Sequence, residues 1–133
     1  MSKSEQGRAA RNKGKRGELE LAHFLSDQLY CKHIRSAQRE GKNSADIVPE
    51  NPEYVYPIHW ECKRVEKLNI YNAIEQATRD ARDGYIPVVA HRRNGEEWLM
   101  TMPLKYVVEL SFIMRKLVDK VAYSVGEADD DGT

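Results

Sequence analysis

Leu21, Ala22, Leu25 and Leu29 recur at helical spacing and predict a helix from Glu18 to Tyr30. Short strand-like runs follow. Cys31 to Ser36 reads as a first strand, and Asp46-Ile47-Val48, ended by Pro49, as a second. Tyr54 to Val65 is the third and longest. Strand side chains alternate between faces, so Tyr56, Ile58, Trp60 and Cys62 share one face of this run and His59, Glu61 and Lys63 share the other. The turn formers Glu50-Asn51-Pro52-Glu53 join strands two and three as an antiparallel hairpin. Asn69 is the expected N-cap of a second helix, striped by Ile70, Ala73, Ile74, Ala77 and Ala81 and ending near Gly84. Ile86 to Ala90 is the fourth strand, and an Asn94-Gly95 turn leads to a fifth over Glu97 to Met100. Pro103 opens a long last helix with Val107, Leu110, Met114, Leu117, Val118 and Val121 on its stripe. Val108 and Phe112 fall outside that stripe, which leaves a second face to bury, on its own sheet or on a partner subunit. The predicted fold is an α/β sandwich around a mixed five-stranded sheet.

Length changes little in this picture: 133 residues suit one domain. No apolar run approaches the roughly 20 residues of a membrane span. The N-terminus is basic and polar, without an apolar signal core, so secretion is not expected. Cys31 and Cys62 lack metal-ligand spacing, which points to a reduced cytoplasmic protein and away from zinc. Charge changes the picture more. The formal net charge is zero. Yet residues 1–16 hold Lys3, Arg8, Arg11, Lys13, Lys15 and Arg16 against Glu5 alone, a net +5. Residues 127–131 hold Glu127, Asp129, Asp130 and Asp131, a net −4. The expected organisation is a flexible basic arm over residues 1–13, one domain over 14–125 and a disordered acidic tail over 126–133. The arm suits contact with phosphates or simple solvation.

Three carboxylates stand out. Glu18 lies on the apolar stripe of the first helix, where a buried carboxylate needs a partner or a ligand. Glu20 lies off the stripe. Asp46 sits in a short apolar run, and Glu61 and Lys63 point the same way two residues apart. An Asp followed by Glu-x-Lys is what a metal-dependent phosphodiesterase needs, because hard divalent cations take carboxylate oxygens and retained waters. Alone, the pattern also fits a surface ion pair beside a strand. His59, on the same face, suits either a helper base or a hydrogen-bonded structural residue.

Glu18, Ser44-Ala45-Asp46-Ile47, Glu61-Cys62-Lys63 and helix residue Gln76, in that order, resemble the PD-(D/E)XK nuclease superfamily. The basic opening Asn12-Lys13-Gly14-Lys15-Arg16-Gly17-Glu18 is most similar to archaeal-type Holliday junction resolvases, of archaeal or viral origin. The resemblance spans residues 11–104; Ala45 stands where the family has Pro. It implies a restriction-endonuclease-like α-β-β-β-α-β core with an extra C-terminal helix. It implies catalytic Glu18, Asp46, Glu61, Lys63 and Gln76. Mg²⁺, replaceable by Mn²⁺, is then held by Asp46, Glu61, the Cys62 carbonyl and Glu18. DNA contacts are expected from Arg11, Lys13, Lys15, Arg16, Arg35, Arg39 and Lys42. The implied activity is Mg²⁺-dependent cleavage of four-way DNA junctions by a homodimer, in the cytoplasm (the host's, if viral) and away from membranes. A nickase, exonuclease or restriction-type enzyme shares the motif, and a non-catalytic DNA-binding protein shares the fold.

Overall fold

Helix α1 begins far upstream of its apolar stripe. It runs from Lys3 to Leu29. The computed structural model describes residues 2–36 and 45–131, with side chains as far as residue 124. The segment expected as a flexible arm is therefore helical from Lys3. Ser2 and Glu5 start it with a capping box, each side chain bonded to the other's backbone N–H. Residues 8–16 are exposed all round, which is why no apolar stripe betrays them. Tyr30 ends the helix in the left-handed region, at φ 57°.

The sheet has the spatial order β1-β2-β3-β4-β5. Its strands are β1 (His33–Arg35), β2 (Ile47–Pro49), β3 (Ile58–Arg64), β4 (Ile86–Arg92) and β5 (Leu99–Thr101). β1, β2 and β3 are antiparallel neighbours, as the hairpin expectation requires. β3 and β4 are parallel, joined through helix α2 (Ile70–Asp80), and β4 and β5 are antiparallel. The third strand starts later than expected: Pro52–Tyr54 forms a 3-10 turn, and a tight turn closed by Ile58 N on Tyr56 O at 2.9 Å precedes Ile58. Asn69 caps α2 through a bond from Asn72 N. That helix stops at Asp80 rather than near Gly84. Gly84, at φ 83°, serves a turn closed by Tyr85 N on Arg82 O at 3.0 Å, a conformation that suits glycine.

Each face of the sheet is covered differently. One carries Ile47, Ile58, Trp60, Val88 and Ala90 against Leu21, Ala22 and Leu25 of α1 and Leu117 and Val121 of helix α3 (Val107–Asp131). The other carries Val89 against Ala73 and Ala77 of α2. The backbone of the acidic segment expected as a disordered tail is helical to Asp131. The α3 stripe is narrower than predicted: Val107 and Val118 join Val108 and Phe112 on the exposed side.

A polar chain crosses the larger core. Trp60 Nε1 donates to Tyr56 Oη at 2.8 Å, and Tyr56 Oη lies 2.7 Å from His33 Nε2. His33 Nδ1 lies 2.8 Å from the Cys31 carbonyl, which only accepts, so Nδ1 carries the proton and Tyr56 donates to Nε2. Burial pushes the Tyr56 hydroxyl pKa up and that of His33 down, which favours this neutral arrangement. Tyr56→Phe strands a buried donor and a buried acceptor together. We expect it to cost about 2–3 kcal/mol of stability in chemical denaturation; a loss below about 0.5 kcal/mol would show that the chain of bonds does not hold the core.

Candidate active site

β2 ends as it reaches the middle of β3. Ile47 pairs with Trp60, and Asp46 N donates to Trp60 O at 2.8 Å. One step further the ladder is replaced by a side chain: Cys62 N donates to Asp46 Oδ2 at 2.8 Å. Asp46 therefore lies just outside the ladder, close enough to Glu61 to feel its charge. Glu61 is buried, with Oε2 3.2 Å from His59 Nε2. Burial, then the Glu61 charge, push the Asp46 carboxyl up to about 7, while the Cys62 N–H bond acts the other way. Glu18 raises it further, which places that charge close by.

Lys63 follows on the same face of β3, under α2. Its Nζ donates to Gln76 Oε1 at 2.9 Å. Gln76 can sit there because α2 lays Ala73 and Ala77 flat on Val89, and Gln76 occupies the flank of that contact. The bond holds a flexible ammonium against α2, on the strand face that also carries Glu61. Sequence spacing alone leaves Gln76 equally suited to an exposed helix position.

Glu18 reaches the region from α1. Gly17, immediately before it, is buried against Arg64 of β3, so the helix crosses the strand closely there. Glu18 Oε2 accepts from Arg35 Nε at 2.6 Å. Arg35, expected to contact phosphates, is thus engaged by Glu18, a partnership the sequence pattern does not indicate. Glu20 has a separate role: it pairs with Arg64 and Arg92. Arg11, Lys13, Lys15 and Arg16 are exposed on the N-terminal half of α1. Arg39 and Lys42 lie outside the described residues.

The donors suit a hard cation in part. Among the described residues, no group of three or more His, Cys, Asp or Glu side chains is close enough to hold a metal ion. Two neighbouring carboxylates remain, Asp46 driven toward its protonated form first by burial and then by the Glu61 charge. A Mg²⁺ site that keeps several waters needs only one or two carboxylates, so Asp46 and Glu61 fit that chemistry. The Cys62 thiol is not suited to metal binding: burial, then the charges of Asp46, Glu18, Glu20 and Glu61, push it up to about 12. A cavity of about 500 Å³ has Ile34, Arg35, His59, Arg82 and Tyr85 among its walls; Asp46 and Glu61 do not line it.

Among the described residues, no helix is long and apolar enough to cross a membrane. No curated protein and no solved structure gives a significant match to the chain. Residues 9–131, by contrast, match a family described as phage putative PDDEXK endonuclease. That span takes in α1 from Ala9, the whole sheet, Asp46, Glu61-Cys62-Lys63 and Gln76, and it agrees with the restriction-endonuclease-like order of elements seen here. The chain belongs to this phage family of PD-(D/E)XK endonucleases.

Proposed function

We propose that the chain is a Mg²⁺-dependent DNA endonuclease, served also by Mn²⁺, and that it resolves four-way junctions as a homodimer. The observation that carries the metal dependence is the neighbouring pair Asp46 and Glu61, with the Asp46 carboxyl raised to about 7 by burial and then by the Glu61 charge. A buried carboxylate beside a second one is relieved by taking up a proton or a cation. The metal, when bound, would activate water and stabilise the leaving oxygen. The chain's own residues do the rest. Asp46 and Glu61 would hold the cation. In a hydrogen-bonded strand pair, one residue's N–H and C=O face the same neighbour. The Cys62 carbonyl therefore projects to the side where its N–H meets Asp46, and it is available as a further ligand. Glu18, balanced by Arg35, would contribute its carboxylate through a metal-bound water. Lys63, steadied by Gln76, would meet charge developing on the phosphate or orient the attacking water.

Helix α1 supports a nucleic-acid substrate. At 100° per residue, Arg11 and Lys15 stand on the Glu18 side of the helix and Lys13 and Arg16 do not. Arg11 lies about 10 Å along the axis from Glu18, a span suited to phosphates neighbouring the cleaved one. The exposed Val108 and Phe112 of α3 support self-association. Two copies related by a two-fold axis would match the two symmetric strands of a junction.

The test is cleavage of end-labelled four-way junctions beside linear, nicked and flapped duplexes, with Mg²⁺ and with chelator. We expect paired nicks in the junction, only with metal, and junction binding without cutting for Glu61→Gln. Equal cutting of linear duplex overturns the junction assignment. Cleavage that persists in chelator overturns the metal site.

A further inference from the structure

Asp46 and Glu61 are each held by one carboxylate oxygen. Asp46 Oδ2 accepts from the Cys62 N–H at 2.8 Å, and Glu61 Oε2 lies 3.2 Å from His59 Nε2. An ionised carboxylate only accepts, so the ring nitrogen donates. Both side chains are nearly sealed: 2% of His59 and 6% of Glu61 is exposed. Among the described residues, His59 supplies the hydrogen bond to the Glu61 carboxylate.

From this geometry we propose that His59 is a positioning residue for the site. It clamps one oxygen of Glu61 and turns the other toward the space shared with Asp46. The proposal rests on Asp46 and Glu61 being the cation-holding pair. A glutamate has three rotatable bonds, and a buried carboxylate without a fixed donor can swing away from its neighbour. His59 prevents that through the backbone itself. The two residues stand two apart on one strand face, and β3 is paired on both sides, with His59 in register with Pro87 of β4. His59 is also among the residues lining the 500 Å³ cavity, whereas Glu61 is not. Its burial and its bond to Glu61 fit a positioning role and not that of a base facing water. Outer partners of this type orient ligands, and losing one typically weakens metal binding about 10–100-fold.

The test is Mn²⁺ titration of the full chain, free of DNA, followed by electron paramagnetic resonance. His59→Phe keeps a ring and loses the donor. We expect it to fold and to bind Mn²⁺ at least about 10-fold more weakly. His59→Gln restores an N–H and should recover most of that loss, which packing alone would not explain. If the Phe variant fails to fold, His59→Leu takes its place with the same two outcomes. Glu61→Gln is the reference for the site itself. Wild-type affinity in the donor-less variant, with affinity lost in Glu61→Gln, overturns the role of His59 and leaves the metal site standing. Wild-type affinity in Glu61→Gln overturns the site, and the proposal with it. A Gln variant as weak as Phe also overturns the hydrogen-bonding role.

Discussion

Asp46→Asn should still bind DNA, cut it about 10³-fold more slowly or worse, and unfold at a higher temperature than the wild type above neutral pH. The three effects share one cause. An asparagine carbonyl still accepts the Cys62 N–H, so the end of β2 keeps its anchor. The variant loses the charge a cation needs, and with it an electrostatic contribution worth several kcal/mol to the barrier. It also loses a buried charge, disfavoured first by desolvation and then by Glu61. The Asp46 carboxyl moves from an ordinary 3.8 to about 7 in the folded chain. Between those values the folded state holds more protons than the unfolded state, so rising pH destabilises the metal-free protein. The penalty is absent below about pH 4, grows through the window and is complete above about pH 7. Each tenfold change in proton affinity is worth about 1.4 kcal/mol, so the full penalty is a few kcal/mol. Denaturation in chelator at pH 5.5 and pH 8 reads it directly. The wild type should lose more stability over this interval than Asp46→Asn, and Mg²⁺ should restore it. Identical pH dependence in the two proteins would rule out the strained pair, and wild-type cleavage by Asp46→Asn in Mg²⁺ would rule out its catalytic use.

Gly17→Ala should lower the melting temperature by several degrees, while Gly14→Ala, one turn earlier, should raise it. Both glycines lie inside α1, where replacing Gly by Ala gains about 1 kcal/mol of helix propensity. Their surroundings differ. A Cβ on Gly14 meets nothing within 4 Å. On Gly17 it meets Arg64 Cβ at 2.6 Å, and an atom that close to the backbone cannot turn aside. Forcing the helix off the strand costs about 3 kcal/mol, at the upper end of ordinary overpacking. The clash wins over the propensity gain by about 2 kcal/mol, or roughly 7 °C for a chain of this size. Lifting α1 also moves Glu18, the next residue, so DNA cleavage should fall in the same variant. A Gly17→Ala protein that melts with Gly14→Ala would show that the helix and β3 do not cross this closely.

Much of the sheet can be read from alternation. Glu61 and Lys63 share a face because strands have period two, and Ile47 reaches the core because a short apolar run beside a longer one makes a hairpin. The position of Gln76 follows from helix order, but its bond to Lys63 depends on how α2 sits on Val89, which no local pattern encodes. The same is true of Arg35. A cation beside a loop reads as a phosphate contact until a helix from elsewhere in the chain supplies Glu18. Helix α1 upstream of residue 17 escapes the pattern for another reason. Apolar periodicity reports helices that bury a face, and this half buries none. Its signal is the capping box Ser2-Lys3-Ser4-Glu5, which marks a start without needing a stripe. Val107 and Val118 mislead the opposite way: they repeat at helical spacing, yet among the described residues of α3 only Leu117 and Val121 turn fully into the core.

Cys62 has a consequence beyond the geometry of metal and phosphate. Its backbone does the structural task, and its sulfur is a passenger beside four acids. With the thiol at about 12, only about one molecule in 10⁴ carries a thiolate at pH 8. Alkylating agents and peroxides react with thiolate, so the residue at the centre of this site is chemically quiet. Burial, and after it the carboxylates that would draw in a cation, keep this thiol protonated and slow to oxidise.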